Sequence, residues 1–495
     1  MATTITQKPN LLSAANTPLI YILTEGDAAV YNAPKFRYIL EVEINGVKKA
    51  QLKIHKNPLH AGIFDISKIV SSYIDTTLTN ENSDANSIHS LGIVEAAKPF
   101  GQNNNQCAKV TVKAFYEKAT SVTTAPTKSS QQAASDSFVI PATTPFTLTE
   151  DNVGGLDHIT SSPSSNNFPL TYFMNSTSAE DSYVFFSNSP TVQFVRGSST
   201  SADNLDQLTI CFKQGDSGAG ILDQGCKLEY MFVEYFNSSG VAIAGSTGSA
   251  TWYALPNSTT SGGSTAAQST TVDKAILYFG CGTKNLESQA IASVVDSEGA
   301  TVGGANARPS NHTNWAYYRI YGSTNATTTN RCTKYYYFYR YGSGAKVDDR
   351  HQSCTRYDNI RLAWVNRLGA WDYMNFRGKS TESITIESSE MDSLTGTWDS
   401  ANYNYNAWDR GKKTLFKKAT KKIIINSDYL NEDEAVWMEE LFTSREVQIL
   451  NDDYTIIYPV VITDKAYTKK TTVNDKLKIQ YTLNLEYSNK IRTNS

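Results

Sequence analysis

Apolar and polar residues alternate without a break along Leu477-Lys-Ile-Gln-Tyr-Thr-Leu-Asn-Leu-Glu-Tyr487. That is the period of a strand with one face on a core and the other in water. The same period runs through Phe36-Arg-Tyr-Ile-Leu-Glu-Val-Glu-Ile44, where Phe36, Tyr38, Leu40, Val42 and Ile44 share a face. Asn45-Gly46 follows, and both positions of a two-residue hairpin turn want φ > 0, which these two residues tolerate. A return strand is therefore expected over residues 48–54, and a further strand over 108–116. Between them Ile66, Ile69, Val70, Tyr73 and Ile74 fall on one helical stripe behind Asp65, predicting a short, capped helix at about 65–75. A second helix is expected at 431–444, with Asn431 as N-cap, Glu434 completing a capping box, and Leu430 stapled against Ala435. Trp437, Met438, Leu441 and Phe442 form its buried stripe.

Short strands are also expected near 182–187, 192–195, 208–212, 228–236 and 275–279, joined by Gly-, Ser- and Thr-rich connections such as 246–271. Aromatic density then rises. Trp315, Tyr317, Arg319 and Tyr321 are read onto one strand face, and Tyr335-Tyr-Tyr-Phe-Tyr339 is aromatic on both faces. Such a strand is buried on both sides or covered by another subunit. Residues 359–376 read as two strands around a turn containing Gly369, flanked by Trp364 and Trp371. Trp364, Trp371, Tyr373, Tyr335, Tyr337 and Tyr339 are thus expected in core or intersubunit packing.

The chain of 495 residues has room for roughly three domains of about 150 residues. The fold class expected is mostly β, with several β-sandwich-like domains and two short helices (about 65–75 and 431–444). The division expected is an N-terminal β domain with one helix (1–120), a linker or long loop (121–150), a Ser/Thr/Gly-rich β domain, read as an insertion (151–310), and an aromatic-rich C-terminal β domain with one helix (311–495). Only 19% of residues are charged and the formal charge is -3, so no global drive toward nucleic acid or an acidic membrane exists. No segment reaches the ~18 apolar residues needed to span a bilayer. The N-terminal residues lack the apolar core of a signal peptide, so synthesis in a cytoplasm is expected. The six cysteines, Cys107, Cys211, Cys226, Cys281, Cys332 and Cys354, read as buried thiols rather than a disulfide framework. A Cys211–Cys226 bridge stays open as an alternative.

Candidate chemistry is sparse. Glycan cleavage needs two carboxylates flanking a sugar, and Asp348, Asp349, Asp358 and Asp372 lie near the aromatic hairpins. The first two read instead as turn residues and Asp372 as a solvated strand position. His55, His60, His89, His158, His312 and His351 sit in no nucleophile–base context and read as surface or turn residues. Cys332, His351 and Cys354 lack the paired spacing of a zinc site. No catalytic residue, cofactor or metal is expected, and no enzyme activity. The lysine run 412–422 makes Lys412, Lys413, Lys417 and Lys418 candidates for a basic contact with an acidic neighbouring subunit or with DNA. A solvated strand rim, where lysine blocks edge pairing, is the first reading, and nucleic-acid contact is not expected.

Three pieces share a distinctive order. The first runs from Phe36 through Asn45-Gly46 and Asn57-Pro58 to Gly62-Ile-Phe-Asp-Ile-Ser-Lys-Ile-Val70. The second is Arg361-Leu-Ala-Trp-Val-Asn-Arg-Leu-Gly-Ala-Trp-Asp-Tyr373. The third runs from Leu430-Asn-Glu-Asp-Glu-Ala-Val-Trp-Met-Glu-Glu-Leu-Phe-Thr-Ser444 through Val461-Ile-Thr-Asp-Lys-Ala-Tyr467 and Val473-Asn-Asp-Lys-Leu477 to Glu486-Tyr-Ser-Asn489. Together they resemble a family of virion structural proteins of tailed bacteriophages, of the environmental and gut phage type. The middle, about 120–310, resembles nothing namable. The resemblance implies a structural subunit of a virion, in the tail or neck, made in the host cytoplasm. Its partners would be other virion proteins and further copies of itself, and it would act by oligomerisation. The alternative is a host-recognition fibre or spike binding surface glycan.

Overall fold

A computed structural model of the chain describes residues 3–9, 12–74, 88–93, 98–103, 106–142, 184–185, 192–213, 230–246, 248–257, 276–323, 326, 335–343, 356–367, 369–393, 397–399, 402–404, 411–452, 457–468, 470, 479–489 and 491–494. The fold is mostly β, with several multi-stranded sheets and short helices among the described residues. It divides into two compact units, one of residues 1–349 with 365–372 and one of 350–364 with 373–495. No helix among the described residues is long and apolar enough to cross a membrane.

In the first unit, strands Leu12–Ala14, Ala133–Ile140, Ala108–Lys118, Arg37–Ile44 and Val47–Ile54 lie side by side in that order. The alternating face works as the pattern dictates. Tyr38, Leu40, Val42 and Ile44 are buried together with Val110 and Val112. Against them packs a three-stranded sheet, Thr4–Gln7, Ile20–Thr24 and Ala61–Asp65, through Tyr21, Leu23 and Phe64, a sandwich with one shared core. Asn45 and Gly46 adopt φ of 53° and 79°, the left-handed turn their types favour. The helix behind them is shorter than the stripe predicts, spanning Ser67–Ser71 with Ile66 as its N-cap. Asp65 sits one residue earlier, where its carboxylate accepts the amides of Ser67 and Leu19 at 2.9 and 3.2 Å. Because the helix stops at Ser71, Tyr73 lies beyond it and is exposed.

The outer face of this sheet carries an ion-pair lattice. Lys53 meets Glu117 at 2.6 Å, Lys113 meets Glu43 at 2.5 Å, and Lys48 and Lys128 converge on Glu41. Burial opposes ionisation of Glu41, yet the two lysines hold its carboxyl below the ordinary value.

Two expected boundaries need correction. Part of the 121–150 linker is sheet, since Ala133–Ile140 pairs with Ala108–Lys118 through seven positions and buries Phe138, Val139 and Ile140. Polar Ser135, Asp136 and Ser137 on that strand disguise it as loop. The divide at 310 runs through one sheet, because Tyr230–Phe236 and Tyr317–Ser323 are antiparallel neighbours. That seven-stranded sheet runs in the order Val192–Val195, Tyr336–Arg340, Tyr317–Ser323, Tyr230–Phe236, Trp252–Pro256, Val294–Asp296, Thr301–Val302. The supposed connection 246–271 thus contains a strand, with Tyr253, Ala254 and Leu255 buried. A four-stranded sheet of Val184–Phe185, Thr209–Lys213, Ile276–Gly280 and Phe100–Asn103 completes the unit.

Among the described residues two further one-turn helices, Ala28–Tyr31 and Thr283–Glu287, join the two expected ones. Four or five residues are too few to show a helical period. Thr283–Glu287 is buried and polar. Asn285 donates to the carbonyls of His89 and Leu91 at 2.9 and 2.8 Å and accepts from the Leu208 amide, so it ties three loops together.

The sheet that makes up most of the second unit runs in the order Trp371–Phe376, Ile360–Val365, Val447–Leu450, Ile457–Ile462, Thr482–Tyr487, Gly411–Asn426, Thr381–Ser393, and Ile491–Asn494 also pairs with Gly411–Asn426. Helix Glu432–Thr443 covers the sheet. Its capping box is complete, the Glu434 amide donating to Asn431 Oδ1 at 2.7 Å and the Asn431 amide to Glu434 Oε2 at 2.8 Å. Trp437, Met438 and Leu441 join Trp364, Leu483 and Leu485 in one core.

Candidate functional site

The seven-stranded sheet has two unlike faces. On one, Tyr235, Tyr318, Ile320 and Phe338 are fully buried. On the other, aromatic rings remain half-exposed, and strand register explains how they gather. Residues directly opposite in neighbouring strands share a face. Tyr317 faces both Phe236 and Tyr339, Arg319 faces both Glu234 and Tyr337, and Phe194 faces Tyr339. Glu234 in turn faces Trp252. Tyr317 stacks on Tyr339 with centroids 4.7 Å apart and on Phe236 at 4.8 Å.

Arg319 lies at the centre. Its guanidinium sits 4.5 Å from the Tyr335 ring and 5.1 Å from Phe236, cation–π distances. Its Nε donates to Glu234 at 2.6 Å, and the Tyr321 hydroxyl donates to the same carboxylate at 2.8 Å. Burial works against the Arg319 charge, but the bond to Glu234 outweighs it and the guanidinium is held more firmly protonated than usual. Burial, helped by the Glu234 charge, pushes the Tyr321 hydroxyl far above its ordinary value. Burial likewise raises Tyr317 and Tyr339, so these phenols stay neutral. The face is an array of aromatic rims around one ion pair. It can lie against a flat apolar surface or a sugar ring.

The expected packing residues divide accordingly. Tyr337 and Tyr339 lie on this half-exposed face, and Tyr335 packs against it through Tyr321, centroids 5.0 Å apart. Trp364, Trp371 and Tyr373 are instead buried. Trp364 tilts against Trp437 at 4.7 Å in the second unit, and Trp371 meets His89 in a T-shaped contact with centroids 4.8 Å apart in the first. Trp315 does not share the face of Tyr317. The strand begins only at Tyr317, so alternation does not reach back, and Trp315 is buried against Tyr235 and Tyr318.

Lys412, Lys413, Lys417 and Lys418 lie on the long hairpin of Thr381–Ser393 and Gly411–Asn426. Lys412 and Lys418 each reach a carboxylate of the partner strand at 3.6 Å, Glu390 and Glu387, and Lys421 reaches Glu382 at 2.8 Å. This acidic partner strand escaped the reading of the lysine run taken alone. Its alternation of Thr, Ser and Glu with Ile384 and Ile386 was the available signal.

The catalytic candidates do not converge among the described residues. Asp358 is exposed, Asp348 and Asp349 lie outside those residues, and Asp372 is 1% exposed rather than solvated. Its charge adds to burial in raising the Cys211 thiol and Tyr336. His89 and His312 are buried too, contrary to the surface reading. His312 stacks on Tyr235 at 4.0 Å with Nδ1 2.9 Å from the Arg308 carbonyl, and burial pushes its pKa down to about 4. His55 and His60 are exposed, while His158 and His351 lie outside the described residues. Cys107, Cys211 and Cys281 carry buried thiols; Cys226, Cys332 and Cys354 lie outside the described residues. Among the described residues no three His, Cys, Asp or Glu side chains are grouped to hold a metal.

Fold and site together define a mostly β chain of several multi-stranded sheets with one half-exposed aromatic face. No protein-family model and no curated protein matches it. Among solved structures, a crystal structure of a mutant of Salmonella alpha-2-macroglobulin aligns at 7% identity with a TM-score of 0.15. The alignment covers 98% of this chain and 37% of that one. A likeness so slight decides nothing about fold or function.

Proposed function

We propose that the chain is a structural subunit of a tailed-phage virion, acting in the tail or neck by oligomerisation rather than by catalysis. The observation that carries the assembly reading is the aromatic face. Contiguous apolar surface left open on one molecule marks a place where another protein sits, and Tyr, Trp, Phe and Arg are the residues enriched at such places. Here Arg319 lies beside Tyr337, Tyr317 and Tyr339 extend the face along the neighbouring strand positions, and Phe194 continues it beyond Tyr339; all five are half-buried. The virion location rests on the order of the three sequence pieces that resemble phage structural proteins. Immunogold electron microscopy of purified phage particles tests it: label at the neck or along the tail is expected, and particles without label would overturn it.

A second reading is favoured by the same face. Half-buried tyrosine rings around the Arg319–Glu234 pair also suit a sugar, which stacks its apolar side on rings and bonds its hydroxyls to charged groups. A host-recognition fibre or spike would then carry label at distal tips. Its binding to host polysaccharide would fall on Tyr337→Ala or Tyr339→Ala without loss of particle assembly.

A further inference from the structure

Among the described residues the strand Thr381–Ser393 is the last of its sheet, and almost every residue of it is exposed. It carries Glu382, Glu387, Glu390 and Asp392 and no basic residue. Ile384 and Ile386, side by side on one face, are 59% and 63% exposed. A long open edge with apolar side chains is a template for another strand, and chains that must stay single blunt such edges. In the first unit the strand Val47–Ile54 is also the last of its sheet and exposed along most of its length. It carries Lys48, Lys49 and Lys53 and no acidic residue, with Val47 55% exposed.

We infer that copies of this chain join head to tail, the acidic edge Thr381–Ser393 of one copy adding to the basic edge Val47–Ile54 of the next. Like charges directly opposite across strands repel. Acidic edge on acidic edge and basic edge on basic edge are both disfavoured, and only the unlike pairing is attractive. The charges that guard each edge against itself thus select the other edge. The antiparallel register that sets Ile384 opposite Leu52 and Ile386 opposite Ala50 also sets Glu387 opposite Lys49. Lys49 suits this role. It is the extra residue of a bulge and lies over the Tyr73 ring at 4.7 Å rather than against a carboxylate. The carboxylates of Glu382, Glu387 and Glu390 keep more than half their surface open despite their lysine partners. Two different patches meet in such a contact, so repetition gives a ring or an open filament rather than a closed pair. The inference deepens the assembly reading and rests on it for taking a second copy as the partner.

Sedimentation of the full chain over a concentration series tests the pairing. Self-association is expected. Glu387→Lys alone and Lys49→Glu alone should each weaken it on the order of tenfold, and the two together in one chain should restore it. Both side chains face solvent, and unchanged melting of the dilute variants checks that they fold. An independent arm mixes chains carrying Ile384→Cys with chains carrying Leu52→Cys, where an intermolecular disulfide should form under mild oxidation. Single reversals without effect, a loss that the double variant leaves in place, absence of the disulfide, or a chain that stays monomeric would overturn the proposal. Particle labelling is a separate readout: label on particles together with insensitivity to these reversals removes the edge pairing and leaves the virion reading standing.

Discussion

Two hairpins follow one another in the chain and are held by opposite means. In the first, Ile360–Val365 and Trp371–Phe376, ten of the twelve strand residues are buried, both tryptophans among them. In the second, Thr381–Ser393 with Gly411–Asn426, the strand Thr381–Ser393 is exposed almost throughout and the first five residues of its partner are exposed as well. Burying a large aromatic side chain stabilises by kilocalories, whereas exposed ion pairs of the kind that lace the second hairpin contribute about 0–1 kcal/mol each. The first hairpin is part of what holds the fold together. In the second, Ile423 and Ile425 of Gly411–Asn426 still belong to the core, but the exposed strand Thr381–Ser393 adds little to stability, so its length calls for another purpose, and an open charged edge supplies one.

The contrast breaks or sharpens under mutation. The largest expected effect is at the tryptophans: Trp371→Ala or Trp364→Ala should each cost ~3–5 kcal/mol. A melting temperature unchanged by either would remove that hairpin from the core. Next comes the buried His312. Its folded pKa of about 4 lies below its ordinary 6.5, so the unfolded chain binds the proton more readily. Stability from this group is therefore fully present above 6.5 and is lost as pH falls toward 4, on the order of 2–3 kcal/mol. Thermal melts from pH 7 to pH 4 should show the fall, and His312→Gln should flatten it. Asn431→Ala, which breaks the capping box of Glu432–Thr443, should cost about 1 kcal/mol in urea unfolding. At the small end, Lys418→Ala and Ile386→Ser on the open hairpin should stay within ~0.5 kcal/mol of the parent; a loss several times larger would mean the hairpin is structural after all.

Much of the fold was legible in the sequence where one face was apolar. The alternation of Phe36 to Ile44, the Asn45-Gly46 turn, the capping box at Asn431 and the turn at Gly369, with φ of 87°, all reappear in the structure. What stayed hidden was polar structure inside. Ala133–Ile140 carries Ser135, Asp136 and Ser137 at its middle, Thr283–Glu287 buries Asn285 and Glu287, and Asp372 and His89 vanish into the interior. Each resembles a solvated residue until tertiary partners satisfy it, as the His89 and Leu91 carbonyls do for Asn285. The aromatic face was half legible. Tyr335 to Tyr339 announced rings on both sides of a strand, but only register with Tyr317–Ser323 places Tyr337 beside Arg319 and Tyr339 on Tyr317. The charged edge was missed because the lysine run was read without its partner strand.

Hydrogen exchange of the full chain, measured below and above the concentration at which it self-associates, tests the open-edge account most directly. Alternate amides of Thr381–Ser393 and of Val47–Ile54, those that point outward from each sheet, should become protected together on assembly. Amides on both edges that exchange equally fast in the free and the assembled chain would contradict it.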